Sequence, residues 1–182
     1  MLTYMSRQAI IQKHLGTRLF KHKSLAFQAL GISQDDTARI LYVSADVDAA
    51  VMYPFPETPE GERLAEFRAR LDDFIEGAEL SVAENPCDKP FDAMFARVRP
   101  VEKEFWSIRV TDPDDTPGIR SFGAFSDTNE FVALTWEMRE DISVFDEEVE
   151  AAIAAWSDYF GSEPPYRGDN LNEYLTNNIR TV

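Results

Sequence analysis

Arg109, Arg120 and Arg139 are the residues whose type and spacing best suit a chemical role. They sit in or just after three runs of aromatic and β-branched residues, FWSIRV (105–110), IRSFGAF (119–125) and FVALTW (131–136). The turn formers DPDDTPG (112–118) and SDTNE (126–130) separate the runs, so three consecutive strands are expected. Side chains alternate along a strand. Arg109 therefore shares a face with Phe105 and Ser107, and Arg120 shares one with Phe122 and Ala124. Val132, Leu134 and Trp136 read as a core face, with Arg139 opposite them if the third strand reaches that far. Pairing such strands can set two or three guanidiniums on one surface, where their forked donors grip a phosphate or carboxylate. The commoner arrangement is also open: each arginine pairs with a nearby acid such as Glu104, Asp127 or Glu137, an exposed contact worth about 0–1 kcal/mol.

Other residue sets carry weaker signals. Asp46 and Asp48 form a D-x-D in an expected loop; two carboxylates offer hard oxygens to a divalent cation, but an acidic turn accounts for them more simply. His14 and His22 lie in an acid-free segment with no Cys or carboxylate to complete a metal site. Cys87 is flanked by Glu84 and Asp88, which disfavour a thiolate, with Lys89 opposing them. No Gly-rich phosphate loop, serine nucleophile elbow or HExxH occurs, so no cofactor or metal site is expected and no motif decides for catalysis. The R-G-D at 167–169 is taken as chance. Tyr166, Tyr174 and Trp156 are expected as an aromatic patch, either an interface or a closing edge of the core.

The positioning elements follow from periodicity. Ile10, Ile11, Leu15, Leu19 and Phe20 recur at helical spacing in residues 1–30, which read as a basic amphipathic helical arm. A break is expected at 31–36, then a strand at 38–43 (ARILYV) and a partner strand at 49–53 (AAVMY). A strong helix is expected over 60–75, its buried stripe Leu64, Phe67, Leu71, Phe74 and Ile75. Thr58 is its N-cap, Pro59 its first residue and Gly77 its C-terminal cap. Residues 78–83 suit a short strand, and 91–98 suit a strand or a short helix. A second strong helix is expected over 146–160 on Val149, Ile153, Trp156 and Phe160. Asp146, Glu147 and Glu148 stand at its positive end, and a last short helix is expected within 170–179. The fold class is α+β: a mostly antiparallel sheet built on the meander 104–140, helices on one face, the basic arm 1–30 and a single acidic domain 31–182.

The run of IRV, a turn, GIRSFGAF, a turn and FVALTW resembles the sheet of RelE-type toxins, with the 60–75 helix in the helical place. The resemblance spans about residues 60–140. It implies a small α+β protein and a metal-independent endoribonuclease, or an inactive relative of one. Arg109, Arg120 and Arg139 would then be its catalytic residues, activating the RNA 2′-hydroxyl and stabilising the transition state.

Charge sets the wider limits. The chain holds 18 Lys and Arg against 33 Asp and Glu, a net charge of −15. Residues 1–30 carry 5 cations and no acid, so the remaining 13 cations and 33 acids put −20 on the rest. Such a body repels a phosphate backbone, which makes nucleic acid an unfavoured partner. At 182 residues with 44% apolar content, a real core is expected. No run approaches the ~20 apolar residues of a membrane span, and no signal peptide is expected. A single cysteine suits the reducing cytoplasm. The leading expectation is an acidic cytoplasmic interaction protein, binding a protein partner or a second copy of itself through its charged surface or its arm. The ribonuclease is the alternative, and mimicry of a nucleic acid is a lesser third.

Overall fold

The computed structural model describes residues 6–31, 33, 37–111 and 117–182. In chain order these form α1 (Arg7–His14), β1 (Leu19–Lys21), α2 (Leu25–Leu30), β2 (Ile40–Ser44), α3 (Ala45–Ala50) and α4 (Pro59–Glu76). Then come β3 (Leu80–Ala83), β4 (Phe95–Arg97), β5 (Phe105–Val110), β6 (Ile119–Asp127) and β7 (Glu130–Met138). The chain continues through α5 (Phe145–Phe160), α6 (Leu171–Tyr174) and β8 (Ile179–Thr181). The turn expected at 112–118 and the break at 31–36 fall largely outside the described residues, as do residues 1–5 of the arm.

The expected meander is present: β5, β6 and β7 pair antiparallel in sequence order. It is the middle of one eight-stranded sheet of order β1-β2-β7-β6-β5-β4-β3-β8. The expectation of a mostly antiparallel sheet is corrected, because the sheet is mixed: β2–β7, β3–β4 and β3–β8 run parallel. The outer strands are short, and no tight hairpin turn binds them to a sequence neighbour. Their partners are therefore chosen by packing.

Helices on one face are also corrected, since both faces are covered. On one side Phe67, Leu71, Phe74 and Ile75 of α4 bury against Leu41, Val43, Phe95, Trp106, Phe125 and Phe131. On the other, Ile10 and Ile11 of α1 and Val149, Trp156 and Phe160 of α5 bury against Phe105, Phe122, Val132 and Leu134. Two-faced burial explains why FVALTW reads as a continuous apolar run. Each such side chain contributes about 1.5–3 kcal/mol when fully buried.

Capping behaves as the residue types dictate. Thr58 Oγ1 accepts from Gly61 N, Pro59 opens α4, and Gly77 closes it at φ 77°. The strand expected at 49–53 is not formed: residues 49 and 50 close helix α3, and 51–53 are turn and loop. Ser44 caps that helix by accepting from Val47 N, and Asp46 and Asp48 lie in its first turn, where the helix dipole favours them. The D-x-D is thus a helix start, not a cation loop. The ambiguous 91–98 segment contains strand β4. The arm is not one helix: strand β1 lies within it and pairs with β2, and Leu19 is fully buried.

Arg39 ties these layers together. Its side chain is buried, and Nη1 donates to the carbonyls of Phe74 (3.2 Å) and Ala78 (3.0 Å). Nη2 donates to Asn177 O (2.5 Å) and Asn178 O (3.3 Å). One guanidinium thereby joins the end of α4, the entry to β3 and the approach to β8. Burial lowers its pKa to about 10.

A β-bulge in β7 sets the faces of the meander. Ala124 lies opposite Val132 and Gly123 opposite Ala133, but Phe122 lies opposite Thr135, so Leu134 is an extra residue. Its carbonyl is satisfied by the Ser44 hydroxyl, which donates at 2.7 Å. Gly123 is needed here because a Cβ would stand 2.0 Å from the Val132 carbonyl oxygen. Gly123→Ala is expected to part the strands and cost about 1–3 kcal/mol, read as a lower urea midpoint. An unchanged midpoint would show that the bulge tolerates the extra carbon.

Candidate functional site

Past the bulge, the alternation of β7 is inverted. Arg120 faces Glu137 in register, not Trp136. Trp136 turns to the α4 side, its ring 6.2 Å from that of Phe67, so it leaves the face of Val132 and Leu134. Arg139, two residues after Glu137, comes to the Arg120 face, and its N–H donates to Gly118 O at 2.7 Å. Arg109 lies directly opposite Arg120 across β5 and β6. The three arginines singled out from the sequence are therefore gathered on one face.

They line a single small cavity of about 160 Å³, together with Lys89, Ser107 and Phe145. Lys89 comes from the loop before β4, and Phe145 opens α5. The Phe145 ring packs edge-on against Phe122 at 5.3 Å and lies 5.2 Å from Lys89 Nζ. Lys89 is the cation that sequence reasoning missed as a partner. It lies in a loop remote in sequence, and no periodicity links it to the strands.

Among the described residues the commoner alternative, arginines paired with acids, is not found. Arg109 Nη1 donates to Pro90 O (2.7 Å). Arg120 Nη1 donates to Ile119 O (2.9 Å) and Val110 O (3.2 Å), and Arg139 Nη1 reaches Ile142 O (3.5 Å). Among the described residues none of the four cations has a carboxylate within 4.0 Å. Glu104 is taken by Arg97 (2.6 Å), Arg167 (3.2 Å) and the Tyr174 hydroxyl (2.5 Å). Glu137 and Asp127 accept from the backbone amides that follow them.

Carbonyl dipoles accept from one nitrogen of each arginine and leave its charge in place. Across the sheet Arg120 stands between Arg109 on β5, a like charge that destabilises the paired position, and Glu137 on β7, an opposite charge that offsets part of it. Burial pushes the Arg120 pKa down to about 10, with Arg109 and Arg139 adding to it. Burial also lowers Arg109, with Asp92 opposing. Lys89 is lowered to about 8 by burial first, then by Arg109, Arg120 and Arg99, with Cys87 opposing. An oxyanion in the cavity would favour the charged form of every one of these cations at once.

A pH dependence follows. Above about pH 8 the Lys89 ammonium loses its proton and the cavity loses one of four charges. Sulfate, whose charge is constant in this range, is expected to bind progressively more weakly from about pH 7 to about pH 9, and Lys89→Met is expected to flatten that profile. The profile is measured by calorimetric titration; a flat one in the parent protein would contradict it.

The remaining sequence candidates separate. His14 packs edge-on against Tyr159 at 5.7 Å, and His22 Nε2 meets Asp72 at 2.7 Å on α4. Among the described residues no group of three or more His, Cys, Asp and Glu is placed to hold a metal ion. Cys87 is exposed and in contact with the Arg99 guanidinium. Tyr166 and Tyr174 do pack together, 5.8 Å apart. Trp156 lies on the other face of the sheet, stacked on Phe160 at 3.9 Å, so the expected three-ring patch is not formed. Two cations of the arm meet the body: Arg7 reaches Ser126 O (2.7 Å) and Glu163 (3.4 Å), and exposed Arg18 lies over the Tyr159 ring. Among the described residues no helix is long and apolar enough to cross a membrane. Searches against protein-family models, curated proteins and solved structures return no match to this chain.

Proposed function

We propose that this chain is a binding protein whose specific recognition element is the four-cation cavity, which takes up an oxyanion. The observation that carries this reading is the convergence of Lys89, Arg109, Arg120 and Arg139 around one cavity, with no carboxylate partner among the described residues, inside a chain of net charge −15. In so acidic a body, a basic cavity whose cations have no ion-pair partner among the described residues focuses potential at one place and admits a group that the rest of the surface repels. Its volume equals about five waters at ~30 Å³ each, room for a phosphate, sulfate or carboxylate group. The test is calorimetric titration of the full chain with inorganic phosphate at fixed ionic strength, alongside thermal unfolding. One site per chain and a phosphate-dependent rise in Tm are expected. A heat signal no different from chloride, with no rise in Tm, would overturn the reading.

The metal-independent ribonuclease is a second reading, supported by one observation: Arg109, Arg120 and Arg139 share a face and a cavity, as that chemistry requires. It expects growth arrest on expression and relief of the arrest by Arg120→Ala. Growth unaffected by the parent protein would remove it.

A further inference from the structure

The four-cation cavity has a larger neighbour. A cleft of about 410 Å³ also takes Arg109 into its wall, with Phe91, Met94, Glu79 and Asp92 among its other residues. The segment Lys89-Pro90-Phe91 borders both, and Arg109 lines each of them. Lys89 lines the small cavity, Phe91 lines the cleft, and the carbonyl of Pro90 between them holds the Arg109 guanidinium at 2.7 Å. The small cavity has room for a charged group and little else. The cleft falls in the range of about 300–1,000 Å³ that organic ligands occupy. Phe91 is 67% exposed, a large ring on a rim with no packing duty to explain it, and buried Met94 lies beside it in the cleft wall.

Charge distribution selects further. Four cations without a carboxylate partner among the described residues favour an anion carrying more than one negative charge, which a phosphate monoester does and a carboxylate does not. The cleft wall carries Glu79 and Asp92, each joined to Arg180 at 3.3 Å and 3.1 Å. Arg70 also lines that wall, and it is paired with Glu66 (2.8 Å) and Asp73 (3.2 Å), so apart from Arg109 the charges of the cleft are already partnered and offer no site for a second anionic group. Resting on the oxyanion reading above, we propose that the ligand is a small organic phosphate monoester with an aromatic body: Lys89, Arg109 and Arg120 hold the phosphate, and the ring lies against Phe91 and Met94 in the adjoining cleft. The anionic head supplies charge pairing, and the ring supplies apolar burial and offset stacking on Phe91.

The experiment is calorimetric titration of the full chain with inorganic phosphate, phenyl phosphate and benzoate, repeated on Phe91→Ala. Phenyl phosphate is expected to bind about tenfold more tightly than inorganic phosphate, and benzoate more weakly than either. Phe91→Ala is expected to erase the phenyl advantage while leaving inorganic phosphate unchanged. Because Phe91 is exposed, this variant keeps the core intact. If inorganic phosphate binds but phenyl phosphate binds no better, the aromatic body is wrong and the oxyanion site stands. An advantage that survives Phe91→Ala would likewise remove the ring from the cleft and leave the oxyanion site in place. Benzoate binding as well as phenyl phosphate would overturn the monoester. Absence of all phosphate binding would overturn the site itself and this inference with it.

Discussion

Arg120→Gln is expected to weaken phosphate binding by about 10- to 150-fold, the equivalent of about 1.5–3 kcal/mol for a hydrogen bond to a charged group. Arg120 is the central cation. It faces Arg109 directly in the β5–β6 register, and Arg139 presses on it from the end of β7. Glutamine keeps an amide donor but ends two atoms short of the guanidinium Nη1, so the contacts to the Val110 and Ile119 carbonyls weaken as the charge is removed. The same substitution removes a repulsion from the empty protein. The ligand-free variant is therefore expected to melt close to the parent, and the two measurements together separate a binding role from a structural one. A variant that binds phosphate normally, or one that loses binding only because it unfolds, would contradict this assignment. Arg139 is more exposed, and its guanidinium reaches Ile142 O at 3.5 Å, so Arg139→Gln is expected to have the smaller effect.

Arg39→Leu is expected to destabilise the fold by about 3 kcal/mol, measured as a drop in the urea midpoint at unchanged slope. Leucine fills part of the space but leaves the carbonyls of Ala78 and Asn177 without a donor, while Phe74 O keeps the Gly77 amide and Asn178 O the Leu80 amide. Each buried acceptor left unpaired costs about 1–3 kcal/mol, and relief of the buried charge offsets part of that sum. Arg39→Lys should be intermediate, because one ammonium cannot span carbonyls on three segments. A loss below about 1 kcal/mol in Arg39→Leu would show that water enters and takes over the donor role. Phosphate binding should be retained under native conditions, since Arg39 lies in neither cavity.

Local signals are legible in the sequence where one segment contains its own cause. Helix α4 is legible because its stripe, its Thr58-Pro59 start and its Gly77 stop all lie within twenty residues of one another. The β5–β7 meander is legible because turn formers separate its runs. Expectation and structure part where the partner is distant. The 49–53 segment reads as strand by composition, but Ser44 and two first-turn aspartates begin a helix just before it. Residues 1–30 read as one helix, but Leu19 is claimed by a sheet edge formed with Ile40–Ser44. The central strands read as having one core face because composition cannot say that a second helical layer lies behind them.

By itself the sequence determined the α+β class, the two long helices, the three central strands and the three arginines as the residues to watch. Only the tertiary structure decided that those arginines meet. One extra residue at Leu134, held by a hydroxyl from Ser44 and admitted by the bare backbone of Gly123, shifts the β7 pairing by one and carries Arg139 across the sheet. Strand alternation has a period of two, so a single-residue slip moves every later side chain to the other face. The loop that brings Lys89 to the same place is fixed by packing against distant strands, and pairwise distance is not written in local pattern.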